Sequence, residues 1–278
     1  MIGQTKLKSD LDALIDENIF PRFSIFVGPT GSGKRTLCES HIADRLNMFW
    51  CFEQDNKVDT VRKVIEDAYR VTSPTMYIFT DADNMSAQAK NALLKVTEEP
   101  PNNAYFILTI TDLNQTLPTI RSRAQIFRMD PYTPTEIGEY ANSIGIIDSA
   151  EMEVIADICE TPGEVNILSQ SGIIAFDEFM ELVADNIAEV SCANAFKIGD
   201  KIKFKDGDGY DLRLFLKAFM SKCIKRMSAS ANDAMFIYAQ VIKITSKYLQ
   251  ELNITGINKQ STFDCWMLDV REVMLNGV

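Results

Sequence analysis

Nine consecutive residues, Gly28-Pro29-Thr30-Gly31-Ser32-Gly33-Lys34-Arg35-Thr36, carry the clearest chemical pattern in the chain. Glycines at this spacing let backbone N–H groups close around phosphate oxygens. The helix expected from Lys34 onward would aim its N-terminus at the same anion. One position departs from the ordinary form of such a loop. The residue after the lysine is normally Ser or Thr, whose hydroxyl holds Mg²⁺, and here it is Arg35. Thr36 comes next, but one step along a helix turns a side chain by about 100°, so it does not simply stand in. Three chemistries remain open for the loop: nucleotide hydrolysis, nucleotide binding alone, or a shape kept without either.

A phosphate loop works with partners, and the chain offers several. The apolar run Met76 to Thr80 is followed by Asp81 and Asp83, where a hydrolytic site keeps its metal-associated and water-activating acids. Thr111 closes a later apolar run, a place from which a polar side chain reaches a terminal phosphate or an attacking water. Arg121 and Arg123 flank Ser122 at the corner before another strand-like run. Ser86 suits the N-cap of the helix that follows, whose free N–H groups and Lys90 are candidate contacts for a DNA phosphate. His41, the only histidine, has no acid–base partner in these motifs. The six cysteines (Cys38, Cys51, Cys159, Cys192, Cys223, Cys265) form no C-x-x-C pair and read as small buried apolar residues, so no metal site is expected.

The elements that must position these residues follow from periodicity. Leu7, Leu11, Leu14 and Ile15 mark an amphipathic helix over 3–18. Strands are expected at 23–27, 48–52, 76–80, 105–110 and 124–127, separated by helices to about 46, at 58–70 and at 86–99, the last stopped by Pro100-Pro101. Continuous apolar runs alternating with helices indicate an open parallel sheet covered on both faces. Beyond Asp130-Pro131 only helices are expected. Three short ones lie within 134–170, and longer ones from 174 carry the stripes Leu212, Phe215, Leu216, Phe219 and Phe263, Trp266, Met267, Val270. The charged, glycine-bearing stretch 201–209 reads as a joint between them.

Composition sets the outer bounds. A chain of 278 residues that is 46% hydrophobic can bury a real core and divides into two or three small domains. Acidic residues outnumber basic ones 39 to 28, for a formal net charge of −11, which argues against coating nucleic acid by bulk charge. No apolar run approaches the length of a membrane span and no signal segment is visible, so a cytoplasmic protein without membrane contact is expected.

Taken together, Ile2-Gly3-Gln4, the loop GPTGSGKRT, the run TDADNMSAQAKNALLKVTEEPP (80–101), the strand FILTIT (106–111) and the corner IRSRA (120–124) resemble the AAA+ subunits of DNA polymerase sliding-clamp loaders. The likeness is close over residues 2 to about 130 and weak beyond. It implies an α/β P-loop domain with a parallel sheet over 1–130, a small helical lid over 131–173 and an all-α oligomerising collar over 174–278. It also implies a phosphate site at Gly28, Pro29, Thr30, Gly31, Ser32, Gly33, Lys34, Arg35 and Thr36, taking ATP or ADP with Mg²⁺ as an optional companion.

Carried over residue by residue, the resemblance is informative for what is missing. Lys34 matches the family's loop lysine and Thr111 its polar residue on the fourth strand. Thr80 falls where active members have a Mg²⁺-associated Asp, Asp81 where they have a catalytic Glu, and Gly163 where an arginine of the small domain reaches the γ-phosphate. Arg123, which in the family acts in trans on a neighbour's nucleotide, is kept. The profile is similar to the delta-prime type of clamp-loader subunit, here in a minimal form suggestive of a phage, whose own hydrolysis is weak or absent. Expected partners are other clamp-loader subunits in a hetero- or homo-pentameric ring, the sliding clamp and primer–template DNA. Alternatives are an active clamp-loader motor, in which Thr36 and Asp81 or Asp83 take over metal and base roles, and an AAA+ helicase loader or remodelling ATPase.

Overall fold

The computed structural model describes residues 1–53, 55–186, 198–199, 201–203, 209–229, 232–252 and 257–276. Contacts divide the chain into two units, Met1–Glu136 with Thr161–Gly163, and Ile137–Glu160 with Glu164–Val278.

The first unit is built on five parallel strands in the order β2-β3-β4-β1-β5: β1 (Phe23–Val27), β2 (Phe49–Glu53), β3 (Thr75–Phe79), β4 (Ala104–Ile110) and β5 (Gln125–Arg128). All agree with the expected strands to within a residue or two. Every residue of β1 is buried, as a central strand covered on both faces requires. Phe23, Ile25 and Val27 alternate onto one face, packed with Val61, Leu93 and Val96. Phe26 goes to the other, packed with Leu7, Leu11, Leu37 and Ile42. The covering helices are α1 (Thr5–Asp16), α2 (Lys34–Leu37), α3 (Asp44–Leu46), α4 (Val58–Ala68), α5 (Ala87–Glu98) and α6 (Pro118–Arg121). The helix expected from 34 to 46 is present, but its middle, Cys38–Ala43, is wound as a π-helix.

Strand order matters more for function than strand number. The chain leaves β1 for the far edge at β2, whereas the link from β4 to β5 passes to the other side of β1. Connections that diverge in this way open a crevice at the carboxyl ends of the strands, and the glycine loop begins there. Gly28 N–H donates to Ile110 O at 3.1 Å, joining the start of the loop to the end of β4.

The second unit holds the end of α7 (Pro134–Ser143, from Ile137 onward), α8 (Ser149–Ile158), most of α9 (Pro162–Ser171), α10 (Ile173–Asn186), α11 (Leu212–Ala229), α12 (Asn232–Glu251) and α13 (Lys259–Asn276). The aromatic stripes read from the sequence meet here. Phe215 and Phe219 pack edge-on against Trp266 at 5.4 and 5.0 Å between ring centroids, and Trp266 Nε1–H donates to Thr245 Oγ1 at 3.1 Å. The expectation of helices alone needs a correction. Ile202–Lys203 and Tyr210–Asp211 pair as two-residue parallel strands, too short for any periodicity to show. Residues 204–208 of the expected joint, and Cys192, lie outside the described residues. Cys38, Cys159 and Cys223 are buried as expected, whereas Cys265 is exposed, so burial does not explain it.

Candidate functional site

The loop is shaped by its glycines. Gly31 and Gly33 have φ of +80° and +81°, the left-handed region that disfavours a side chain. Space is as restrictive as conformation. A Cβ on Gly28 would stand 2.7 Å from Met129 Cγ, and one on Gly31 would stand 2.8 Å from Gly163 Cα and 2.9 Å from Thr161 Oγ1. The segment Thr161–Gly163, part of the first unit, therefore lies backbone to backbone on the loop. Gly163 N–H donates to Gly31 O at 3.0 Å. A Cβ on Gly163 would overlap Gly31 Cα outright, so a glycine at this position is demanded by the contact.

Lys34 is 6% exposed, and its ammonium group donates to Gly28 O at 2.7 Å and Pro29 O at 2.9 Å. Burial lowers its pKa, against the opposing pull of the Asp81 and Asp83 charges. Ser32 Oγ is buried without a hydrogen-bond partner among the described residues, while Tyr132 Oη–H holds the Ser32 carbonyl at 2.9 Å. Gly33 precedes α2 without a side-chain cap, so the first N–H groups of the helix are left for a ligand. Glycine cradle, orphaned hydroxyl, uncapped helix start and lysine fit the phosphates of a nucleotide.

The donors that Mg²⁺ needs are not assembled. Arg35 Nε–H donates to Glu39 one turn on, and Thr36 is exposed. Thr80 Oγ1–H donates to Glu53 O at 3.2 Å. Asp81 is exposed with a left-handed φ of 50°, and its N–H donates to Thr109 Oγ1 at 3.3 Å. No cluster of three or more His, Cys, Asp or Glu side chains suited to a metal occurs among the described residues. The residues present do not fit a hard divalent cation, which takes several oxygen ligands including carboxylates.

The register of β3 on β4, Phe79 against Leu108, sets Asp83 beside Thr111. Asp83 is 8% exposed, and its Oδ2 accepts from the Thr111 N–H at 2.7 Å, from the Thr111 hydroxyl, and from Asp112 N–H at 3.4 Å. Its Oδ1 is buried without a hydrogen-bond partner among the described residues. The sequence marks Thr111 but not this pairing. A buried acid just past an apolar strand was the available signal, but its partner lies 28 residues away.

Ser86 caps α5, its Oγ accepting from Ala89 N–H at 3.2 Å, and Lys90 Nζ donates to Asp83 O at 3.0 Å and Gln115 O at 2.7 Å. Arg123 lies just past α6, its side chain 36% exposed, bonded to Thr119 O at 2.9 Å and paired with Glu98 at 2.7 Å. Gln4 clips the start of α1 to the chain beyond β5. Its amide donates to Asp130 O and accepts from Asp130 N–H, both at 2.8 Å. His41 Nε2 does have an acidic neighbour, Asp12 Oδ1, at 3.0 Å.

Residues 43–133 match the family model described as DNA polymerase III, delta subunit. DNA polymerase III subunit gamma of Buchnera aphidicola is 29% identical over 109 residues, covering 36% of this chain and 30% of that protein. The replication factor C small subunit of Methanothermobacter thermautotrophicus is 29% identical over 167 residues, 56% of this chain and 52% of that one. DNA polymerase III subunit gamma/tau of Mycoplasma genitalium is 27% identical over 263 residues, 84% and 42%. The chain thus spans about half or less of the length of these relatives. A DNA polymerase III gamma subunit-related protein from Thermotoga maritima superimposes with a TM-score of 0.55 at 15% identity, covering 95% of this chain and 99% of that one. The RuvB Holliday junction branch migration motor of Thermotoga maritima gives 0.50 at 18%, covering 81% and 76%. These structures place the chain in the AAA+ fold, with a parallel five-stranded sheet and a large helical remainder.

Proposed function

We propose that this chain is one subunit of a sliding-clamp loader in DNA replication, of the delta-prime type. In this reading the chain holds a nucleotide without hydrolysing it and supplies Arg123 to the ATP site of an adjacent subunit. One observation carries the reading: the residues that would drive hydrolysis are turned to other tasks together, while the arginine that would act outward stays at the surface. Arg35 pairs with Glu39, Thr80 with the Glu53 carbonyl, and Gly163 is packed on Gly31. Arg123 has a surface ion pair with Glu98 and one bond to the Thr119 carbonyl to exchange for a phosphate, and an exposed pair of this kind is worth little in water.

In the neighbouring site the bound triphosphate provides the transferable phosphoryl group. The part of Arg123 is to place a fixed charge where negative charge builds up during transfer. Apolar side chains exposed on α11 to α13, among them Ile224, Phe236 and Leu268, support packing of the helical unit against other subunits in a pentameric ring. The sliding clamp and primer–template DNA complete the proposed partners, with Ser86 and Lys90 as the nearest DNA contacts. Lys90 would then have to leave the Asp83 and Gln115 carbonyls. No helix among the described residues is long and apolar enough to cross a membrane, which supports a cytoplasmic setting. The division of residues 131–278 into lid and collar belongs to the same proposal.

The test is ATP turnover by the reconstituted loader. Arg123→Ala is expected to lower turnover at the adjacent site by about 10³, the usual contribution of an arginine supplied in trans, so that DNA- and clamp-stimulated turnover of the loader falls by at least that site's share. Turnover at the wild-type level would remove the assignment. The chain alone is expected to hydrolyse ATP negligibly, and turnover near ~1 s⁻¹ abolished by Lys34→Ala would make it a motor instead.

A further inference from the structure

The Thr111 hydroxyl has a single proton, and that proton is donated to Asp83 Oδ2. A hydroxyl engaged in this way can only accept, and the oxygens of a terminal phosphoryl group are acceptors too. Asp83 holds the adjoining backbone as well, through the Thr111 and Asp112 N–H groups, so the arrangement is fixed at three points. Its second oxygen is buried with no hydrogen-bond partner among the described residues. Asp81 adds a further carboxylate two residues earlier, and Lys34 is the cation on which both charges act. Register brings these groups to one place. Gly28 follows β1 and bonds to Ile110 of β4, Thr111 is the next residue, and the Asp81 N–H bonds to Thr109 of the same strand.

A diphosphate asks little of this corner. The N–H groups of the loop and helix start, together with Lys34, suffice for it. A third phosphoryl group would bring more negative charge toward Asp81 and Asp83, find the Thr111 proton already taken, and lack the metal ion that normally offsets such repulsion.

We propose that the loop selects a metal-free nucleoside diphosphate over the triphosphate, and that Asp83 sets this selectivity by holding the Thr111 proton and by its own charge. The proposal rests on the reading that the loop still binds nucleotide phosphates.

Titration calorimetry of the full chain with ADP and ATP, each in excess EDTA and each with Mg²⁺, tests it. ADP is expected to bind at least about tenfold tighter than ATP, with Mg²⁺ changing its affinity by less than about twofold. Asp83→Asn removes the charge while keeping an acceptor for Thr111, and should raise ATP affinity several-fold with ADP little changed. Asp81→Asn, at an exposed position whose left-handed φ asparagine also tolerates, should shift the ratio the same way by a smaller factor. ATP binding as tightly as ADP would overturn the selectivity and leave nucleotide binding standing. So would a tenfold gain for either nucleotide on adding Mg²⁺, or variants that move both nucleotides equally. Absence of binding by either nucleotide up to about 1 mM would overturn the selectivity and the underlying reading together.

Discussion

Gly163 shows how one missing side chain can be structural and functional together. Its N–H would otherwise be one of the unpaired donors at the start of α9, and Gly31 O satisfies it at 3.0 Å. Adding a methyl group drives a carbon into the loop backbone. Gly163→Ala is therefore expected to destabilise the protein by about 1–3 kcal/mol, the usual range for overpacking against atoms that cannot rotate away. Gly138→Ala is the control. It lies inside α7, where the nearest atom to a new Cβ is the flexible Met152 Cε at 3.3 Å, and the helix propensity of alanine should leave stability unchanged or raised by up to ~1 kcal/mol. Urea denaturation of both variants measures the difference. A Gly163→Ala variant as stable as Gly138→Ala would mean that the loop and the 161–163 segment are not in contact in solution.

Between elements, the ion pairs of the helical unit can be read through pH. Lys217 on α11 is 16% exposed and donates to Glu160 and to Glu164 of α9, both at 2.6 Å. Burial pushes its pKa down, but the bonds to two carboxylates prevail and raise it above the ordinary lysine value. The folded state thus holds this proton more tightly than the unfolded chain. The stabilisation is complete below the unfolded value of about 10.4 and is lost as pH rises through the folded one. Lys217→Met should cost about 1–3 kcal/mol at pH 7–9, discounted for the exposure of Glu160, with the gap to wild type closing above about pH 10.5. A gap independent of pH would assign the loss to packing.

At this same scale the limits of sequence reading become physical. β1, β3 and β4 are legible because a strand buried on both faces reads as a nearly continuous apolar run, interrupted here only by small hydroxyl residues such as Ser24 and Thr109. The π-helical turn at Cys38–Ala43 is not, since it keeps its apolar residues on the core side as an α-helix would. The loop is legible because its glycines and lysine are neighbours in sequence. The pairing of Asp83 with Thr111 is not, because it depends on the register of two strands. Gly163 could be flagged as a lost arginine, but its packing on Gly31 is a tertiary fact.

For the whole molecule, the balance of 39 acidic and 28 basic residues governs its dealings with polyanions. The chain alone should show no retention of duplex DNA at about 0.15 M salt, because few phosphate contacts mean little counterion release. Gel-shift or anisotropy titrations check this, and tight binding with a steep salt dependence would reveal a basic surface that the net charge of −11 conceals. The chain also visits the first unit for only three residues, Thr161–Gly163, between two stretches that belong to the second. That brief visit has a practical use. Glycine amide signals are well separated in a nitrogen–proton correlation spectrum, so isotope-labelled Gly163 is a built-in beacon on the loop. Its resonance, followed while nucleotide is added, would report whether the peptide bond of Gly31 keeps its grip, with no foreign probe attached to the site.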